Sequence, residues 1–217
     1  MPTTPITTLA SAEQYAAWAA GVGITSAAPS NLADLLASAT AQLQQYCNRE
    51  FLPSPADPDE AETRTYYGDG GVTLYIADAL TLDSVAVGST ALSADCYRAV
   101  GVPVEKLEYR PSTGFPSTDN YPSVYPRGAS GWAAGAAITV TGRFGYAEQA
   151  ALPADLVEAC CALAALRALD GASWQNLGVK SVQAGAIAKV EYAQDGTQVA
   201  SKRESALALV NPYRRLY

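Results

Sequence analysis

Pro153–Asp170 reads PADLVEACCALAALRALD, and the fold assignment turns on it. Proline fits the first helical position, where its missing N–H costs nothing. Asp155 and Glu158 sit in the first turns, beside the positive end of the helix dipole. Gly171 follows and offers a left-handed stop. Between Ala159 and Leu166 there is no polar side chain. At about 100° per residue, Leu156, Val157, Cys161, Leu163 and Leu169 point in nearly every direction. A helix that is apolar all round is buried on more than one side. Its alanines (159, 162, 164, 165 and 168) let neighbours approach closely. One small domain covers part of that surface, and a neighbouring subunit is expected to cover the rest. Ala162, Ala165 and Leu169 are the candidate oligomer-interface residues.

Working outward toward the N-terminus, Leu32, Leu35, Leu36, Ala39, Leu43, Tyr46 and Cys47 recur at helical spacing. They predict a helix from about residue 30 to Arg49, with Asp34 in its first turn. Ser11-Ala-Glu-Gln14 is a capping box that opens a short helix through Ala20, closed by Gly21. Between the second helix and the Pro153 helix the composition changes. Residues 53–62 (PSPADPDEAE) are proline-rich and acidic, as in a solvated linker. Thr63–Tyr67, the turn Gly68-Asp-Gly-Gly71 and Val72–Ile76 predict a hairpin. Short strands follow at Leu82–Val87, Cys96–Val100, Val104–Arg110 and Ala136–Phe144. The 111–135 stretch is a long loop carrying Phe115, Tyr121, Tyr125 and Trp132, the candidate loop contacts. Loops of that length in a compact domain usually serve function or motion.

Past Gly171 a looser stretch leads to Ala186–Tyr192, whose alternation predicts a strand. Asp195-Gly196 marks a turn. Ser201-Lys-Arg-Glu204 has the form of a second capping box, opening a helix through Val210. Asn211-Pro212 stops that helix, and Pro212 directs the tail away from it. The expectation is therefore α+β: a helical core with a β-rich insertion between the second and third helices, and a C-terminal strand plus helix. Residues 1–52 and 151–217 form the mainly helical core of a single 1–217 domain, with 63–146 as the insertion.

Net charge is −7, unevenly spread: residues 1–62 carry seven acids against one base, while 151–217 carry six against seven. Such a chain does not attract a nucleic-acid backbone by charge, whereas its basic C-terminal end suits an acidic protein surface. MPTTPITTLA has no basic stretch before an apolar run, so no signal peptide is expected. No apolar run approaches the ~18 residues of a membrane span. Cys47, Cys96, Cys160 and Cys161 fit no zinc spacing. The adjacent pair diverges around a helix, and all four thiols are expected to be small buried hydrophobes.

The chain holds no histidine, which removes the commonest general base and metal ligand. Gly68–Gly71 lacks the Lys-Ser/Thr and the helix of a phosphate loop. Asp57, Asp59, Glu60 and Glu62 lack the calcium-loop pattern. The loop aromatics have only Arg110 and Arg127 beside them, unlike the basic groove of a single-strand stacking platform. No catalytic, metal or cofactor site is expected.

Several phrases, in order, resemble the head–tail connector (adaptor or head completion) proteins of tailed bacteriophages. Leu32–Phe51 resembles that family's first long helix, ending in a Cys-x-Arg-x-Phe phrase, here Cys47, Arg49 and Phe51. A tyrosine-containing strand and Gly-rich turn follow at Thr65–Gly71. Val140-Thr-Gly-Arg-Phe-Gly-Tyr146 and the Pro153 helix come next, and Pro212–Arg215 matches a closing Pro-Tyr-Arg-Arg. The resemblance covers roughly 30–170 and the C-terminal end. It implies a homo-oligomeric virion ring, twelvefold, below the portal and made in the host cytoplasm. That ring extends the DNA channel and joins capsid to tail, with DNA passing through unbound and no membrane involved. Its partners are further copies of itself, the portal protein and the next neck or tail protein. The C-terminal residues Tyr213, Arg214, Arg215, Leu216 and Tyr217 are the portal-interface candidates it implies, and they are expected to order on binding. Alternatives are a stopper or terminator of the neck or tail, or a non-catalytic binding module using the aromatic loop 111–135.

Overall fold

The computed structural model describes residues 8–24, 28–110, 131–173, 181–184, 188–191 and 196–215, with side chains given outside 169–201. The protein is α+β, and its chain divides into two compact units. Arg49–Ala151 forms a β unit. Thr7–Asn48 and Leu152–Tyr217 together form a helical unit.

In the helical unit, α1 (Ala12–Gly21) opens on the expected capping box, with Ser11 and Gln14 each bonding the other's backbone N–H. The second helix, α2 (Leu32–Cys47), stops at Asn48, which takes the left-handed conformation with φ 50°. Asparagine tolerates that conformation better than most side chains do, so the helix ends just short of Arg49. The third, α3 (Ala154–Ser173), packs against α2, α1 and α4 (Gly196–Leu209). Its buried side chains are Leu156, Ala159, Cys160, Cys161, Leu163 and Ala164. Two expectations fail here. Gly171 does not end α3, because a glycine near a helix end costs only about 1 kcal/mol against alanine. Ser201 does not cap α4: it lies well inside a helix that begins at Gly196. A capping sequence caps only where the preceding backbone leaves the helix. The Ala186–Tyr192 strand is shorter than expected, β8 (Ala188–Glu191), and pairs with β7 (Ser181–Ala184).

One polar group inside the helical core is satisfied by geometry. The Thr40 hydroxyl is buried on α2, accepts the Leu9 N–H at 3.0 Å, and lies 3.6 Å from the Cys160 thiol. The thiol also donates to the Leu36 carbonyl at 3.8 Å. On the rim, Arg167 donates to the Gln42 side chain at 2.9 Å, a second tie between α3 and α2.

The β unit holds one six-stranded antiparallel sheet. Its strands are β1 (Glu62–Tyr67), β2 (Thr73–Val87), β3 (Thr90–Ala91), β4 (Tyr97–Val100), β5 (Val104–Tyr109) and β6 (Ala137–Phe144). They run in the order β1-β6-β2-β5-β4, with β3 beside β2. The expected hairpin between Thr63–Tyr67 and Val72–Ile76 does not form: β6 lies between β1 and β2. The glycine turn instead bonds to the chain entering β6. Gly68 N–H donates to Ala136 O at 3.1 Å, and Gly70 N–H to Trp132 O at 2.8 Å. A local turn signal says nothing about a strand arriving from far along the chain. Val72–Ile76 and Leu82–Val87 are parts of one long β2, whose register shifts let its first half pair with β5 and its second with β6. Leu74, Ile76, Val85, Val87, Leu107, Trp132, Ile138, Val140 and Phe144 fill the core.

Candidate functional site

The phrases that carried the sequence reading meet in space at two nodes. The first lies in the β unit. Arg49 leaves α2 and sets its guanidinium 5.0 Å from the centre of the Tyr146 ring. Its Nε is 3.1 Å from Asp78 Oδ2, and its Nη2 is 3.1 Å from Glu105 Oε2. Asp78 is almost wholly buried, its side chain 1% exposed, while its carbonyl accepts the Gly145 N–H at 2.7 Å. Phe51 packs edge-on to Tyr146, ring centres 5.8 Å apart. Thus Arg49 and Phe51 of the first phrase both pack on Tyr146 of the later one.

Two further arginines extend this node. Arg64 lies 4.2 Å over the Phe144 ring and ion-pairs with Glu62 and Glu50. The Arg64 hydrogen bond, seconded by one from Ser54, holds the Glu62 carboxyl below its ordinary pKa. Arg143, nearly buried, pairs with Glu148 and donates to Pro55 O at 3.0 Å and Ala56 O at 3.1 Å. Ser54 and Phe144 exchange backbone hydrogen bonds of 2.7 and 2.8 Å. The start of the 53–62 stretch is therefore pinned to β6 and is not a free linker. Proline and acidic composition mask this, since the ties are backbone carbonyls whose partner comes from far down the chain.

The second node lies in the helical unit. A short 3-10 turn, Asn211–Tyr213, follows α4. Tyr46 Oη donates to Asn211 Oδ1 at 2.6 Å, and Arg214 sits 5.2 Å over the Tyr46 ring. Arg215 N–H donates to Cys47 O at 2.9 Å, satisfying one of the carbonyls that a helix end leaves open. The Cys47 thiol donates to Val210 O at 3.7 Å. The Pro-Tyr-Arg-Arg phrase thus clasps the C-terminal end of α2. Past Pro212 the tail therefore runs onto the end of α2. Arg214 lies on this clasp over Tyr46, and Arg215 is bonded to Cys47. Arg214 remains exposed, and Tyr213 and Arg215 are half-buried. Leu216 and Tyr217 lie outside the described residues.

Of the oligomer candidates, Ala162 and Ala165 are half-exposed on α3, on the side its neighbours leave partly open. The backbone of Leu169 is helical, and its side chain is outside the described set. Among the loop candidates, Trp132 is a correction. It is fully buried, donates its indole N–H to Leu107 O at 3.1 Å and meets Tyr109 edge-on. Its place is the core, and it offers no face to a partner. Phe115, Tyr121 and Tyr125 fall outside the described residues.

All four thiols are free and buried. Burial raises Cys160, and burial first, then Cys160 and Glu158, pushes Cys161 up to about 12. Among the described residues no group of His, Cys, Asp or Glu is placed to hold a metal, and no helix is long and apolar enough to cross a membrane.

No family model and no curated protein matches the chain. The solved structures similar to it over nearly its whole length include two particle necks. One is the neck of an empty GTA particle computed with C6 symmetry: 16% identity, 94% of this chain and 89% of that chain, TM-score 0.49. The other is the neck of a native GTA particle computed with C12 symmetry: 15% identity, 100% and 97% coverage, TM-score 0.49. At that likeness neither carries an argument about what this chain does.

Proposed function

We propose that this chain is a non-catalytic structural protein of a virion neck: a ring-forming head–tail adaptor below the portal. The observation that carries the reading is the interlocking of the resemblance phrases. Arg49 and Phe51 both engage Tyr146, and Pro212–Arg215 closes on Tyr46 and Cys47. Phrases scattered along a chain by chance have no reason to become each other's packing partners. Support also comes from a sequence without histidine and from an α3 whose small side chains are only partly covered.

In this reading the portal-facing surface is preformed. Arg214 is its exposed cation, held in place by Tyr46, and Tyr213 flanks it. Tyrosine and arginine are the residue types most enriched at interface hot spots. Ala162 and Ala165 face the next copy in the ring, and DNA passes through without being held.

The test is electron microscopy of the purified chain, alone and with portal-bearing capsids lacking it. Rings seated at the portal vertex support the reading. A chain that stays monomeric and leaves those capsids bare sinks it. Arg214→Glu locates the contact better than a truncation, because cutting after Val210 also removes the clasp on α2.

A further inference from the structure

Each arginine of the β-unit node is matched by acid: Arg49 by Asp78 and Glu105, Arg64 by Glu50 and Glu62, Arg143 by Glu148. Arg214 is not. It is exposed, and among the described residues no carboxylate lies within ion-pair distance of it.

Arg214 is held all the same. Its backbone N–H donates to Asn211 O at 3.1 Å, and its guanidinium carbon lies 5.2 Å from the centre of the Tyr46 ring. That ring is tied to the same turn, Tyr46 Oη donating to Asn211 Oδ1 at 2.6 Å. The following residue, Arg215, donates its N–H to Cys47 O at 2.9 Å. A long side chain gives up much rotamer freedom when it forms an ion pair. One already held gives up less, so more of the interaction appears as affinity. The guanidinium's donors lie in its plane, so a ring against one face leaves the fork open to a carboxylate.

The surroundings also suit an acidic protein. Between residues 202 and 215 the charged side chains are Lys202, Arg203, Arg214 and Arg215 against Glu204, in a chain that carries −7 overall. Lys202 and Arg203 are exposed. A basic end draws an acidic protein surface, whereas the acidic excess of the rest disfavours the phosphate backbone of a nucleic acid. We infer that Arg214 is a pre-positioned anchor for a carboxylate on the partner protein, with Tyr46, far earlier in the chain, as its positioning residue. This deepens the adaptor reading and rests on it: the partner surface that meets the end of α2 is acidic.

The experiment measures binding of the full-length chain to portal-bearing capsids lacking it, by co-sedimentation at a series of salt concentrations. The variants are Arg214→Ala, Arg214→Lys, Tyr46→Leu, Tyr46→Phe and the double variant of Tyr46→Leu with Arg214→Ala, with circular dichroism verifying each fold. Arg214→Ala is expected to bind at least about tenfold more weakly, the scale of a lost charged hydrogen bond, and to flatten the fall of affinity with salt. Arg214→Lys is expected to recover only part of the loss, because an ammonium cannot form the fork. Tyr46→Leu is expected to weaken binding about three- to fivefold, Tyr46→Phe little, and Tyr46→Leu no further once Arg214 is alanine. A Tyr46→Leu loss of the same size in both backgrounds marks a merely structural residue and overturns the positioning role. Arg214→Ala binding like the parent overturns the anchor while leaving the adaptor reading standing. A duplex-DNA gel shift that Arg214→Ala abolishes overturns the choice of a protein carboxylate. A parent chain that leaves the capsids bare fails the adaptor reading itself and the anchor with it.

Discussion

Replacing Arg49 with methionine keeps most of the aliphatic volume and removes the cation from beside Asp78. The pair is separated by 3.1 Å, with the Asp78 side chain 1% and the Arg49 side chain 11% exposed. At that distance and an effective dielectric of about 20, the gross attraction is about 5 kcal/mol. Removing one partner of a buried pair costs about 3–5 kcal/mol, because the other charge stays buried without that counter-ion. Glu105, 41% exposed, adds no more than about 1 kcal/mol, and the stack on Tyr146 about 0.5–1 kcal/mol. Arg49→Met is thus expected to destabilise the β unit by about 3–5 kcal/mol, most of it through Asp78. Adding Asp78→Asn removes the buried charge, so the double variant is expected to be more stable than Arg49→Met alone. Urea unfolding reads this cleanly in a Trp18→Phe, Trp174→Phe background, where buried Trp132 reports the β unit. The exposed pair Lys106–Glu108, 3.3 Å apart and each about one-third exposed, is the control, and Lys106→Ala is expected to cost less than about 1 kcal/mol. An Arg49→Met loss below about 1 kcal/mol, or a double variant weakened by the full sum of the singles, would refute the reasoning.

Gly142 pairs with Glu62 on one side and Leu82 on the other, and a Cβ there would overlap the carbonyl oxygen of Thr81. Gly142→Ala is therefore expected to lower the β unit's stability by about 1–3 kcal/mol, the usual cost of overpacking, and an unchanged urea midpoint would contradict it. The Glu62 carboxyl titrates below its ordinary value in the folded state. The unfolded chain then binds the extra proton first, so its contribution is complete above about pH 4.3 and is lost as pH falls through the lower, folded value. Glu62→Gln should flatten the acid limb of a stability–pH curve over that window, and parallel acid limbs would rule out its part. With Cys161 pushed up to about 12 and all four thiols buried, native protein at pH 8 should resist a thiol reagent that labels every cysteine in guanidinium. Rapid labelling of the folded chain would contradict that burial.

What was legible in the chain was local or periodic. The Ser11 capping box, the α2 stripe and the apolar run of α3 each carry their cause within a few residues, and each appears as expected. Pairing between distant segments was not legible. The Gly68–Gly71 turn has the chemistry of a hairpin, yet β6 arrives from far downstream and takes the place beside β1. Ser201–Glu204 matches a capping box in composition and lies within a helix. The site was half visible: the phrases could be recognised, but not that Arg49 would reach Tyr146 or that Arg215 would close the end of α2. Asp78 was missed entirely. Its only sequence signal is a carboxylate within the apolar run Ile76-Ala-Asp-Ala-Leu80, where Ile76 and Ala79 are buried.

The chain between β5 and β6 leaves and returns through fastened points. At the exit, Arg110 N–H bonds to Cys96 O at 2.9 Å. At the return, Trp132 N–H donates to Gly71 O at 2.8 Å, with the indole of Trp132 sunk in the core. Both bonds lie outside residues 111–130, and lengthening the chain between them adds little closure entropy, about 0.6 kcal/mol for each doubling. For an engineer this is a graft site. Foreign sequence added between Arg110 and Gly131 would be carried by the β unit between these two bonds.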